Sequence, residues 1–174
     1  MIRITKGLMI AALFLCVAGL SAQNLKFGHI NSQELMQAMP ERDSAEVKMK
    51  KYGKELQDQI ETLQVEFNKK YQDYLQKKAT FTDAIREIKE KELSDLQQRS
   101  QEFEQTAQQD YQKQQADLMK PIVDKANATI QKVAKANGFI YVFDVSTGAV
   151  TYFSDQSVDI LPLVKKELGL GLKK

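Results

Sequence analysis

Apolar side chains recur through the middle of the chain at helical spacing. Tyr52, Leu56, Ile60, Leu63, Phe67, Tyr71 and Tyr74 follow one another at steps of four, four, three, four, four and three. Such an 11-residue repeat closes on three turns with slight drift, so the stripe holds one face of a straight or weakly right-handed coil. A second stripe runs through Ile85, Ile88, Leu93, Leu96, Phe103, Ala107, Tyr111, Leu118 and Ile122, again on one helical face. Between them lies Lys77-Lys78-Ala79-Thr80-Phe81-Thr82, read as a turn. Thr82 ahead of Ile85, or Thr80 ahead of Asp83, supplies the side-chain oxygen that caps a returning helix. The pattern therefore predicts an antiparallel helical hairpin whose outgoing limb reaches about 55 Å.

The pattern changes on either side of this arm. Leu25 to Ile30 has strand character, and Asn31-Ser32 opens a short helix that Pro40 ends, because the residue before a proline disfavours the helical region. Pro121 interrupts the returning helix, either as a kink or as the point where it joins the body. Asn137-Gly138 fits a left-handed C-cap. Phe139 to Phe143 is a continuous apolar run, the mark of a strand covered on both faces. Ser146-Thr147-Gly148 turns the chain, Val150 to Phe153 is expected to return as its hairpin partner, and Asp155 to Asp159 to cap a last helix, Ile160 to Leu168. The fold class is α+β, with residues 23–40 and 121–174 forming a small β-rich body and residues 41–120 the arm. Three short strands leave open edges and apolar faces that one chain does not cover. Self-association is expected to bury them, through Phe27, Ile30, Ile140, Val142, Phe143, Val150 and Tyr152.

Charge and composition sharpen this picture. Residues 41–120 carry 15 basic and 17 acidic side chains, 14 Gln, one Gly and no Pro. Only a seam keeps so polar a stretch from being disordered. At the start, Arg3 and Lys6 precede the apolar run Leu8 to Leu20 and Ser21-Ala22, the layout of a cleavable signal peptide over residues 1–22. That run has 13 residues, short of the roughly 20 a membrane-spanning helix needs. Cys16 invites a lipoprotein reading, but Leu15 fills the place where a small residue is expected. Removing the leader leaves 23 basic and 23 acidic residues and no thiol. The expected product is a soluble periplasmic protein, in a compartment without ATP.

The chemistry is mostly excluded. One Cys and one His rule out a disulfide framework and clustered metal ligands, so no cofactor is expected. His29 reads as a strand residue at the body surface or a subunit contact. No aromatic-interleaved basic patch suggests nucleic acid. No nucleophile stands beside an orienting base, and the acids sit among lysines on solvated helices, so an enzyme is not expected.

Phe27-Gly28-His29-Ile30-Asn31-Ser32-Gln33-Glu34-Leu35 with Met39-Pro40-Glu41 resembles the first strand and helix of the Skp/OmpH family of periplasmic chaperones. Met119 to Val123, Ala134 to Phe139, Val142-Phe143-Asp144, Tyr152 to Asp155 and Val158-Asp159-Ile160 resemble the family's return into the body, closing hairpin and last helix. The resemblance implies a homotrimer with a central β-barrel and three helical tentacles. It also implies ATP-independent holding of unfolded outer-membrane β-barrel proteins between those arms. Well-known members have strongly basic arms, whereas acids outnumber bases here.

Under this reading the client-contact candidates are Val47 and Val65, which face away from the seam, and the incompletely covered rings Phe67, Tyr71, Tyr74, Phe81 and Tyr111. Beyond its seam the second helix offers almost nothing apolar except Ala116. At the tip Lys69, Lys70, Lys77 and Lys78 face only Asp73. These lysines suit anionic lipid headgroups or acidic client loops. The alternative function is a coiled-coil spacer or tether of the cell envelope with no affinity for unfolded chains.

Overall fold

A computed structural model describes residues 25–171. The expected signal peptide, with Cys16, lies outside the described residues. In chain order the elements are β1 (Lys26–Ile30), α1 (Ser32–Ala38), α2 (Pro40–Lys77), a 3-10 turn (Lys78–Thr80), α3 (Asp83–Ala136), β2 (Phe139–Asp144), β3 (Val158–Asp159) and α4 (Leu161–Glu167). The chain is mostly helical with one small sheet. Among the described residues, no helix is long and apolar enough to cross a membrane.

Local chemistry sets the helix ends. The Asn31 side chain accepts from the Glu34 amide at 3.0 Å and starts α1. Pro40 stops α1 and also opens α2, where a missing N–H costs nothing because first-turn amides have no intrahelical partner. Of the two caps open to the returning helix, Thr82 serves, its oxygen accepting from the Ile85 amide at 3.3 Å. Thr80 instead donates to the Lys77 carbonyl at 2.7 Å. Gly138, at φ 70°, takes the left-handed conformation that ends α3.

Contacts between α2 and α3 pair rising residue numbers on one helix with falling numbers on the other. Glu41 meets Lys125, Gly53 faces Tyr111, and Tyr74 meets Glu90. Over 38 residues α2 extends about 57 Å. Ala45, Met49, Leu96 and Ala107 are buried along this line, while Tyr52, Leu56, Ile60, Leu63 and Phe67 are half-buried. The second stripe departs from expectation at its start. Ile85 and Ile88 are exposed, Ile88 at 58%. Ile85 follows directly on the turn, and Ile88 lies about 80–100° around the helix from the buried Leu96 and Ala107, off the line of contact. Ala116 is therefore not the only outlying apolar residue on this limb.

Both roots of the long helices enter one apolar cluster. It gathers Ile30, Leu35, Met39, Ala45, Ile122, Ala126, Val133, Ile160, Leu161 and Val164, with Leu118, Met119 and Val142 packed against it. Pro121 sits inside α3 where this packing begins. Gly28 is required beneath the cluster, since a Cβ there would lie 3.1 Å from the Phe139 ring and 3.2 Å from Ile160.

The sheet has the order β2-β1-β3, and both pairs are parallel. The two long helices are thus the crossover that parallel pairing of β1 and β2 demands. Here the structure corrects the expected hairpin. Val150 to Phe153 is not a strand, and β3 takes the place beside β1. Residues 150–153 have no ladder partner among the described residues, so nothing in the chain draws them into the sheet. Asp159 combines two roles, pairing with His29 and accepting from the Leu161 amide at 2.9 Å to start α4.

Asp144 ties the end of β2 to the start of α1. It accepts from the Ser32 amide at 3.2 Å, the Ser32 hydroxyl at 2.5 Å and the Ser146 amide at 2.9 Å. Partial burial pushes its pKa up, but the hydrogen bonds from Ser32 and Ser146 outweigh that and leave it below the ordinary 3.8. A carboxylate lowered by folding stabilises the fold above its unfolded pKa, and that contribution is lost as pH falls through the folded value. Asp144→Asn is therefore expected to lower the unfolding midpoint at neutral pH and to flatten its fall on acidification below about pH 4. Thermal melts across pH of both chains check this; parallel acid limbs would remove Asp144 from the account.

Candidate functional site

The residues open to a partner form two separate surfaces. One lies along the paired helices and the other on the outer face of the sheet. Among the described residues, no group of His, Cys, Asp and Glu is arranged to hold a metal ion.

On the paired helices, Val47 is 70% exposed and Val65 is also open, as their position opposite the seam requires. Phe67 is half-buried and stacks on the exposed Tyr71, with centroids 5.9 Å apart and planes within 7°. Tyr74 and Phe81 are half-buried and tilted against each other at 6.3 Å. Tyr111 is half-buried further down the seam, its ring over Gly53, where a Cβ would lie 3.2 Å away. The rings therefore do not act alike. Tyr111 belongs to the seam, whereas Phe67 and Tyr71 present a continuous edge that the neighbouring exposed Leu75 extends.

The tip lysines divide in the same manner. Lys70 pairs with Glu66 at 3.7 Å and Lys77 with Asp73 at 2.5 Å, both one turn away along the helix. Lys69 and Lys78 have no salt bridge among the described residues. Exposed i,i+4 pairs contribute about 0.3–0.5 kcal/mol, so the pairing tempers the local field without removing it. The Tyr74 hydroxyl donates to a Glu90 carboxylate oxygen at 2.5 Å. That bond, helped by slight desolvation and the Glu90 charge, holds the phenol above the ordinary tyrosine value. It also fastens the last turn of α2 to the first turns of α3.

On the body the proposed association residues separate into two sets. Ile30 is buried within the chain's own core and Val142 packs against that core, so neither is free to face another chain. Phe27, Ile140, Phe143 and Tyr152 are exposed, Tyr152 at 81%, and Val150 is half-buried. Nor is β2 covered on both faces. Val142 points to the core, and Tyr141 and Phe143 lie open on the outer face, Tyr141 at 60% exposure. Phe27 and Tyr141, paired in register, stack with planes 3° apart, and Tyr141 stacks on Phe143 at 6.0 Å. His29 lies on the same side. Its ring stacks on Phe153 at 4.1 Å and Nδ1 is 2.9 Å from the Ser157 hydroxyl. Between this sheet face and residues 149–157 is an open, largely apolar cleft of about 720 Å³. Tyr141 and Phe153 were missed at the sequence level, although the apolar run and its period of two contain the signal.

The sequence profile of a family described as OmpH, outer membrane protein (OmpH-like), matches residues 26–168. Comparison with curated proteins finds no match. Among solved structures, the fold is similar to the crystal structure of an OmpH-like outer membrane chaperone candidate from Caulobacter crescentus CB15. That chain is 15% identical, with a TM-score of 0.72 and 83% of each chain covered.

The Tyr74 phenol should ionise above the ordinary tyrosine value because of its bond to Glu90. In an absorbance titration of tyrosinate, the step that Tyr74→Phe deletes is expected to move to lower pH in Glu90→Gln. A step unmoved by Glu90→Gln would show the hydrogen bond to be broken in solution.

Proposed function

The chain belongs to the OmpH-like family, and from that premise we propose that it is an ATP-independent periplasmic holdase for unfolded outer-membrane β-barrel proteins. The single observation that carries this reading is the combination of one long two-helix arm with a body whose outer sheet face is aromatic and uncovered. A folded chain that leaves Tyr141, Phe143, Tyr152 and Phe153 in water has an apolar patch of the kind that marks an association surface. The expected cover is two further copies, giving a homotrimer whose strands close a barrel and whose antiparallel coiled-coil hairpins surround a cavity. Residues 23–40 and 121–174 are the oligomerisation body and 41–120 the tentacle in this arrangement, with residues 1–22 as the export signal.

Within such a cavity, Val47, Val65, Phe67, Tyr71, Tyr74 and Phe81 provide weak, repeated contacts. Weak contacts on several arms retain a client through effective concentration while each one releases quickly. An unfolded β-barrel protein offers alternating apolar residues and no fixed shape, so dispersed ring edges suit it better than a shaped pocket. The mechanism involves no chemistry and no cofactor. Lys69 and Lys78, with Lys70 and Lys77, are proposed to meet acidic client loops or anionic headgroups. The envelope-spacer alternative shares the rod but needs no affinity for unfolded chains.

Purified mature chain in stoichiometric excess over a urea-diluted outer-membrane protein is expected to suppress its aggregation and to sediment as a trimer with and without client. A trimer without suppression favours the spacer, and a monomer at micromolar concentration removes the cage. Replacing Lys69, Lys70, Lys77 and Lys78 with Gln is expected to reduce the salt dependence of client retention; an unchanged salt slope would end the electrostatic role of the tip.

A further inference from the structure

The two flanks of the paired helices differ in chemistry. On one flank, near the tip, Glu66, Lys70, Asp73, Lys89 and Glu92 line a charged cleft. Lys70 and Lys89 both draw the Glu92 pKa down, Lys89 by direct hydrogen bonding. The other flank carries little formal charge level with Phe67, whereas nearer the root Arg42, Glu46 and Lys50 line the cleft that Gln115 shares. Level with Phe67, a groove of about 450 Å³ is bounded by Gln64, Phe67 and Asn68 of α2 and by Gln97, Ser100, Gln101 and Glu104 of α3, with Glu104 its single charge.

This groove begins a longer row. Gln97, Gln101, Gln105, Gln108, Gln112 and Gln115 recur at steps of four, four, three, four and three, and all six are exposed. That spacing keeps them on one side of α3 for about five turns. A glutamine amide both donates and accepts, as a peptide group does. A line of them that begins beside Phe67 at its tip end provides hydrogen-bonding groups for unsatisfied backbone, and the Phe67–Tyr71 stack there provides a flat apolar edge for side chains. The opposite flank, occupied by ion pairs, provides neither.

We infer that this amide-lined flank is the client-binding track of the arm, and that it takes extended, uncharged segments of unfolded polypeptide whose side chains alternate between apolar and polar. The inference rests on the holdase reading and assigns it a location. The lack of any basic group on the groove argues for this occupant, since neither an acidic loop nor a lipid headgroup finds a counter-charge there. An extended segment meets its two needs together, because its free N–H and C=O groups require partners and its rings stack on Phe67 and Tyr71.

The test compares three mature chains holding one urea-unfolded outer-membrane β-barrel protein. The first is the unaltered chain. The second carries Gln97→Glu, Gln101→Glu and Gln108→Glu, which place charge on the track. The third carries Gln59→Glu, Gln109→Glu and Gln131→Glu, the same added charge at exposed positions off the row. All substituted positions are solvent-facing, and matching circular dichroism and sedimentation establish that assembly is intact. Client half-life on the track variant is expected to fall about tenfold, because losses at repeated weak contacts multiply, and the off-row variant should match the unaltered chain. The fall should persist when salt is raised. Equal half-lives for all three chains, or an equal fall in both variants, would overturn the track while leaving the holdase reading intact. Failure of the unaltered chain to retain client would instead overturn the holdase reading itself.

Discussion

The two long helices are rooted at one end in a cluster of apolar side chains small enough to name in full. Ile30 from β1, Leu35 and Met39 from α1 and its exit, Ala45 from α2, Ile122, Ala126 and Val133 from α3, and Ile160, Leu161 and Val164 around α4 make this junction. Leu35, Ile160 and Val164 are wholly buried. Beyond it the seam has no depth, because two helices have only one line of mutual contact. Among the described residues, only Met49, Leu96 and Ala107 are fully buried further out. The geometry of the arm therefore derives from its root, and a client-facing surface can be polar and incompletely packed without unfolding the chain. Peripheral ion pairs such as Lys165–Glu34 and Lys132–Glu167 close the junction at its rim, but being solvated they add little.

Much of this architecture is legible in the residue pattern, and the failures share a cause. The 11-residue repeat, the Thr82 cap, Asn31 and Gly138 are local signals whose physics is complete within a few residues, and they hold in the structure. Val150 to Phe153 and the second face of β2 depend on what lies beyond the segment. Their β-branched and aromatic composition says that cover is needed but not which chain supplies it. Ile85 and Ile88 fail for a related reason, since a periodic stripe does not record how narrow the line of contact with the facing helix is. Of the candidate site, the individual rings were legible, whereas the difference between the flanks was not. It arises from residues of α2 and α3 brought side by side, and a polar row has no hydropathy signal.

The two exposed surfaces differ in how they can be used. The outer sheet face is a flat, stacked set of rings, Phe27, Tyr141 and Phe143, held rigidly by ladder hydrogen bonds. A rigid apolar face favours one complementary partner and suits permanent assembly. The arm offers isolated valines, ring edges and amides on a helix pair anchored at one end. It has no fixed complement, and adaptable binding of many sequences asks for that. Under the proposed function this division would put permanent assembly on the body and transient holding on the arm, so a change at one need not disturb the other.

Net charge decides what kind of holding the arm can do. Basic and acidic residues nearly cancel over 41–120, and salt limits the reach of any field to about 8 Å under physiological conditions. A near-neutral arm of this length has no long-range attraction by which to gather an acidic client. Under the proposed holding function, retention would come from contacts at van der Waals and hydrogen-bonding distance, each weak and each replaced readily by water. Such contacts hold only when they are numerous and when escape from one leads to another. A row of amides running for about five turns from a ring stack at its tip end meets that condition, and a charged row would not, since each unmatched charge must be stripped of water before it touches an apolar client. The neutrality of the arm is thus consistent with a holding surface that works by repetition.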